Sequence, residues 1–407
     1  MDARIDRRTA LAGLGALSGL SLFQSRANAA VRFRMTPRLD GSARTLILFQ
    51  LSGGNDGIET VVPYEEDAYY RARATLTRKK DELLKLDDYR GLHPALKNLR
   101  TAWDAGRLAI VEGVGYPRPN RSHFESLDIW HTADPRGRAA GLGWIGKLCE
   151  AAWPAERNPN LVVHIGPNVP YSLHSQHHRP ASFVDPEGYR WIGGERGAMA
   201  FRKVGEGPAS MEERTPTLDF LRRVVAASQT SSDEIRRAVG AYETDVAYPD
   251  EVLAQTMHHV AALVSGGIGA RVISVELGGF DTHADQRERH DELMAILDGA
   301  LGPFLADLGR SEAGKAAVVL VFSEFGRRVA ENGAIGTDHG VAGPMFVLGH
   351  DIKGGLHGKH PTFETLDDGD LVHTTDFRSV YAGVIEGCFA VPHQKVLGAE
   401  YPIVKVV

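Results

Sequence analysis

Thr45-Leu46-Ile47-Leu48-Phe49-Gln50-Leu51 is a short, nearly continuous apolar run that breaks off into Ser52-Gly53-Gly54-Asn55-Asp56-Gly57. Such a run, closed by turn residues, is the pattern of a strand buried on both faces, as in sheets covered by helices on each side. The pattern returns along the chain. Leu108 to Val111 leads into Gly113 to Arg121, Leu161 to Ile165 into Gly166-Pro167, and Arg271 to Leu277 into Gly278-Gly279-Phe280-Asp281. Ala316 to Phe322 leads into Ser323-Glu324, and Met345 to Leu348 into Gly349-His350. Between the runs lie helical stripes, Leu253, Met257, Val260 and Val264 in one and Leu293, Leu297, Leu301 and Leu305 in the next. Strands alternating with helices predict an α/β fold of three layers, α/β/α, around a central, mostly parallel sheet. Residues 66 to 105 and about 170 to 245 are more charged and lack clear strands, so they are expected as excursions over the sheet's active edge.

The first 29 residues read as a leader. Arg7-Arg8 precedes a glycine-broken apolar stretch from Ala10 to Phe23, and Ala27-Asn28-Ala29 offers small residues for cleavage. Paired arginines ahead of a weakly apolar stretch point to the twin-arginine export machinery, with a plain secretory signal or an uncleaved anchor as alternatives. Cleavage after Ala29 would leave residues 30–407 as a single domain in the periplasm or outside the cell. No other segment reaches the roughly 18 consecutive apolar residues of a membrane span, so no stable span is expected in the mature chain. The formal charge of -6 falls to -8 without the leader, which carries Arg4, Arg7, Arg8 and Arg26 against Asp2 and Asp6. That balance disfavours nucleic acid as a partner. Cys149 and Cys388 are too few and too distant for a disulfide framework or a thiolate zinc site.

In open parallel sheets the working site lies beyond the carboxyl ends of the strands. Asn55 and Asp56 follow the first run, Asp281 and His283 the fourth and Glu324 the fifth, while Asp338-His339 stands in the turn-rich loop before the sixth. Carboxylates and imidazoles gathered there suit one or two divalent ions, zinc, manganese, magnesium or calcium. Each residue also has a plainer role. Asp56 and Asp338 read as turn residues, Asp281 as a helix cap, His283 as a hydrogen-bonded histidine, and Glu324 as the partner of Arg327 or Arg328. Ser122 stands at the start of a helix through Leu127 and Trp130, and Glu125 three residues on makes a capping box. A hydroxyl there also sits among free backbone amides that hold anions, with Arg121 and His123 beside it, as a phosphate or sulfate ester would require. No nucleophile elbow, phosphate-binding loop or dinucleotide fingerprint is present.

A wider set of motifs completes the picture. It comprises Leu51-Ser-Gly-Gly-Asn-Asp-Gly57, Thr60-Val-Val-Pro-Tyr64, Gly91-Leu-His-Pro-Ala-Leu96, Ser122-His-Phe124 with Asp128-Ile-Trp130, Gly278-Gly-Phe-Asp-Thr-His283, Phe322-Ser-Glu-Phe-Gly-Arg327, Thr337-Asp-His-Gly340 and Thr374-Thr-Asp-Phe-Arg378. This set resembles the twin-arginine-exported bacterial proteins of domain-of-unknown-function family 1501, grouped with the alkaline phosphatase and sulfatase superfamily. The resemblance implies an alkaline-phosphatase-like fold and a metal-dependent hydrolase of anionic esters, small or polymer-borne. It would make Ser122 the nucleophile, Asp56 the first-strand ligand, Asp281 and His283 a later ligand pair and His339 the final histidine; Glu324 and Asp338 complete the expected metal set, and Asn55, Arg121, His123 and Arg327 are the expected substrate contacts. Three departures stand out, the first being that Asp281 and His283 stand closer together than the superfamily's usual Asp-x-x-x-His. Phe325 occupies a place where the superfamily usually has histidine, and the sulfatase-type Cys-x-Pro-x-Arg or Ser-x-Pro-x-Arg is missing, which favours phosphatase-like over sulfatase-like chemistry. Phe325 also keeps open an alternative, a catalytically degenerate secreted binding or assembly protein on the same fold.

Overall fold

The structure, a computed structural model, describes residues 44–191, 194–206 and 216–407, so the leader expected at residues 1–29 lies outside the described residues. Among them a nine-stranded sheet is built from β1 (Leu46–Ser52), β2 (Leu108–Gly115), β3 (Val162–Ile165), β4 (Ala181–Phe183), β5 (Val272–Gly278), β6 (Val318–Phe322), β7 (Gly343–Gly349), β8 (Gly355–His357) and β9 (Thr375–Asp376). The order across the sheet is β8-β2-β7-β6-β1-β5-β3-β4, with β9 also pairing with β2. β1 lies at the centre, parallel to both neighbours, with Phe49 opposite Val275 of β5 and Val321 of β6. β7 runs antiparallel to both β6 and β2.

Helices cover both faces, as the continuous apolar runs require. α1 (Gly57–Thr60), α2 (Asp67–Ala72), α3 (Lys97–Asp104), α4 (His123–Thr132), α5 (Trp144–Ala152), α6 (Gly194–Glu206), α7 (Pro216–Gly240), α8 (Val252–Ser265) and α9 (Gln286–Leu308) follow in chain order, and α10 is Phe377–Phe389. Alternate residues of β1 feed two cores. Ile47, Phe49 and Leu51 pack with Leu99 of α3, Met257 and Val260 of α8, and Leu293, Leu297 and Leu301 of α9. Leu46 and Leu48 pack with Trp130 of α4, Trp144 and Leu148 of α5, and Phe377, Tyr381 and Val384 of α10. The fold is therefore the expected three-layer one.

Three features differ from the expectation. The region 66–105 contributes two strands, Leu84–Lys85 and Gly91–Leu92, to a small sheet with Val61–Val62. The region 170–245 supplies an edge strand of the main sheet, β4, paired with β3. Hydrogen bonds from this second region reach Glu150 of α5, Asn160 and Asp307 of α9. Finally, β7 discharges Gly349-His350 at the opposite end of the sheet from β1, because it runs the other way. Its preceding loop, with Asp338 and His339, therefore opens at the carboxyl ends of β1, β5 and β6.

No helix among the described residues is long and apolar enough to cross a membrane. Cys149 and Cys388 are free and buried, and burial pushes both thiols up to about 12.

Candidate metal centre

Three elements deliver four groups to one cluster. α4 brings His123 at its first position, the segment after β5 brings Asp281 and His283, and the loop before β7 brings His339. Ligand atoms of His123, Asp281 and His339 all lie within 4.8 Å of one another. His283 Nε2 lies 3.0 Å from Asp281 Oδ1 and 2.9 Å from His339 Nε2, and His339 Nε2 is itself 3.0 Å from the same oxygen. His123 Nε2 approaches the other oxygen, Asp281 Oδ2, at 3.5 Å.

Each imidazole is held from behind. His339 Nδ1 lies 2.8 Å from the carbonyl oxygen of Arg121, His283 Nδ1 lies 3.2 Å from Asp338 Oδ1, and His123 Nδ1 lies 2.9 Å from Glu324 Oε1. All three partners are acceptors, so each Nδ1 can donate to its partner while each Nε2 faces the Asp281 carboxylate. This is how ligand histidines are oriented around an ion. His123 Nε2 is buried and has no hydrogen-bond partner. Burial works to raise the Asp281 carboxyl, but hydrogen bonds from Arg327 and His339 hold it well below the usual carboxylate range. The hydrogen bond to Glu324 pushes the His123 imidazole up, which makes it a more basic donor.

The backbone before Asp56 makes room for this. Gly53 donates its N–H to Glu324 Oε1 at 2.8 Å and has a φ of +117°, and a Cβ there would stand 2.5 Å from the Asp281 nitrogen. Gly54, at φ +79°, would drive a Cβ to 2.3 Å from the Phe325 ring. Only glycine meets both demands.

A family profile described as "Protein of unknown function (DUF1501)" matches residues 43–382. The chain belongs to that family. Among curated proteins none matches it. Solved structures similar to this DUF1501 chain include a protein in the alkaline phosphatase superfamily from Vibrio parahaemolyticus, with a TM-score of 0.41 at 9% identity, covering 88% of this chain and 69% of that one. Ps i-CgsB has a TM-score of 0.38 at 9% identity, covering 86% and 72%, and BT1596, a 2-O GAG sulfatase, has 0.32 at 10%, covering 77% and 65%.

The remaining expected residues of this DUF1501 protein fall elsewhere. Asp56 is fully buried away from the centre. Its Oδ1 accepts from the Ile58 and Glu59 amides at 3.2 Å, and its Oδ2 pairs with Arg73 at 2.7 Å and accepts from Gln286 at 2.6 Å. Expected as a first-strand metal ligand, it is instead the cap of α1, held in the charged state by Arg73. Glu324 and Asp338, expected as ligands, stand behind His123 and His283 as acceptors. Arg327, expected against the substrate, is buried and gives its donors to the carbonyls of Gly53, Gly54, Phe280 and Thr337 and to Asp281 Oδ1. Asn55 is buried too, with Oδ1 3.1 Å from Thr60 Oγ1 and 3.3 Å from His290 Nε2. His123, expected beside the substrate, joins the cluster. Ser122 is exposed at the N-terminus of α4, and its side chain makes no capping bond. The capping box is not formed, because Glu125 turns to the Asn120 side-chain amide while Asn120 Oδ1 accepts the Ser122 N–H at 2.8 Å.

A divalent ion fits the residues present. His283 Nε2 and His339 Nε2 face each other at 2.9 Å, a separation that a shared proton or an added cation accommodates. A proton shared by His283 and His339 leaves His123 Nε2 without a partner, whereas an ion between His123, Asp281 and His339 would engage it. Phe325 packs its ring 4.9 Å from that of His123 and 4.7 Å from that of His339, and it offers no donor for a second ion.

Proposed function

We propose that this chain is an exported, metal-dependent hydrolase of phosphate or sulfate esters, phosphatase-like more than sulfatase-like, whose ion is held by His123, Asp281, His283 and His339. The convergence of three back-bonded imidazoles on one carboxylate carries this reading. An ion held there would supply Lewis acidity toward a non-bridging oxygen of the ester. Ser122 provides the attacking hydroxyl. It lies between Arg121, whose carbonyl orients His339, and His123, and its oxygen is not spent on the helix. The first amides of α4, which have no intrahelical acceptor, face the ester's anionic oxygens. Attack of Oγ on phosphorus forms the Oγ–P bond and releases the alcohol with a proton. Water then cleaves Oγ–P and returns the hydroxyl. The glycines before Asp56 and the Arg327 strut hold these elements at fixed spacing throughout. The leader with Arg7-Arg8 supports export in the folded, loaded state.

Phe325 over the ligand rings favours a second reading, in which the same centre serves a secreted binding protein without turnover. Assay of the ion-loaded protein with an aryl phosphate and an aryl sulfate, beside Ser122→Ala, separates the two. Under the hydrolase reading the parent turns over and Ser122→Ala loses turnover by about a hundredfold or more with its ion content unchanged. A loaded parent that cleaves neither ester gives the binding reading the lead, and a Ser122→Ala variant that keeps the full rate removes Ser122 as nucleophile.

A further inference from the structure

The hairpin of Leu366–Asp367 and Asp370–Leu371 turns through Asp368 and Gly369 at φ +50° and +82°, the left-handed pair of a two-residue hairpin turn. It lays two carboxylates against two arginines. Asp368 Oδ2 lies 3.1 Å from Arg121 Nη1 and 3.1 Å from Arg328 Nη2, so a single oxygen bridges two guanidinium groups. Asp370, fully buried, pairs with Arg121 Nη2 and approaches Arg328 Nε at 3.9 Å. Both arginines are tied through their backbones to the loop that carries His339. The Arg121 carbonyl accepts from His339 Nδ1 at 2.8 Å, and the Arg328 amide donates to the Asp338 carbonyl at 3.0 Å.

The two carboxylates are not equivalent. Asp370 is the anchor, since breaking a buried pair strands a charge. Asp368 is 73% exposed at the tip of the turn, where solvent screens an ion pair and leaves it little stabilising effect. Removing it leaves two half-exposed guanidinium groups against one buried carboxylate, a net positive cradle with donors already pointed at one oxygen.

We propose that Arg121 and Arg328 form an oxyanion cradle beside the metal centre, and that Asp368 is a built-in plug that a phosphate or sulfate group displaces. The cradle rests on the proposed hydrolase function only for the identity of its anion, the non-bridging oxygens of the ester. The hairpin then sets a threshold: weakly charged molecules leave the plug in place, and a phosphate or sulfate exchanges with it.

Calorimetric titration of the ion-loaded full chain with inorganic phosphate, and separately with inorganic sulfate, tests this in the parent, Asp368→Asn and Asp368→Asn/Arg328→Gln. Asp368→Asn is expected to bind one or both anions about tenfold more tightly, the scale of a charge-assisted hydrogen bond released from an internal competitor. The double variant is expected to lose that gain. The anion that gains more identifies the source. The proposal is overturned if Asp368→Asn, with unchanged thermal midpoint, binds neither anion more tightly, or if the gain survives loss of Arg328. A gain in a chain that holds no ion and cleaves no ester leaves the cradle standing without the hydrolase. An ion-loaded, active chain with no gain removes the cradle alone.

Discussion

Glu324 stands behind His123 rather than among the candidate ligands, yet it decides how His123 faces them. Its Oε1 accepts both the His123 Nδ1–H and the Gly53 amide, so the tautomer of the imidazole and the path of the backbone share one oxygen. Glu324→Gln keeps the shape and weakens the acceptor. It is expected to lower ion affinity about 10–100-fold, the usual effect of removing a group behind a ligand, as read by competition with a chromophoric chelator. Unchanged affinity would mean that His123 is not a ligand. From the sequence Glu324 looks like a ligand itself, because a carboxylate directly after an apolar strand needs a strong partner. Which of Glu324 and His123 faces the ion depends on side-chain rotamers, and these are set by Gly53 and by α4, distant in sequence. Asp56 misled for the same reason, since its partner Arg73 lies beyond a turn and carries no periodic signal of its own.

The six apolar runs of the sequence all become strands, with ends shifted by only a few residues, because burial on both faces writes itself into consecutive positions. The edge strands β4, β8 and β9 span three residues or fewer and leave no such trace. Direction is equally silent, since an apolar run reads the same either way, and the reversal of β7 is what turns the loop before it toward the site. Within these strands and helices lie histidines that burial favours in the neutral form. Burial pushes His164 of β3 and His131 of α4 down to about 4, and His290 of α9 down to about 3. Their folded pKa lies below the ordinary 6.5, so below that pH the unfolded chain binds more protons than the folded one. Stability is therefore whole above about pH 6.5 and falls as the pH drops toward 4, by about 1.4 kcal/mol per pH unit for each such group. In urea titrations between pH 7 and 4.5, His164→Val is expected to flatten this slope by about one group's share. An unaltered slope would show that His164 is already protonated in the fold.

Across the molecule, a sheet with β1 at its centre collects residues from positions 53 to 339 at one end, and the arrangement leaves charge in two distinct stores. One is a buried network in which Arg73 pairs with Asp56 and Glu59 while Arg78 reaches Glu59 and Asp291, which fixes α1 and α2 against α9. The other is the histidine and aspartate cluster, in which His123 Nε2 is buried without a hydrogen-bond partner. The first store is closed by its own arginines. The second is closed by Arg327 on one side only, and under the proposed function an added cation completes it. Elemental analysis of the protein purified without chelator and then offered zinc, manganese, magnesium and calcium in turn tests it, with His123→Ala/His339→Ala as the partner sample. One equivalent of a single divalent ion in the parent and none in the folded double variant is the expected result. A parent that takes up none of the four, or a double variant that keeps its full equivalent, would contradict it.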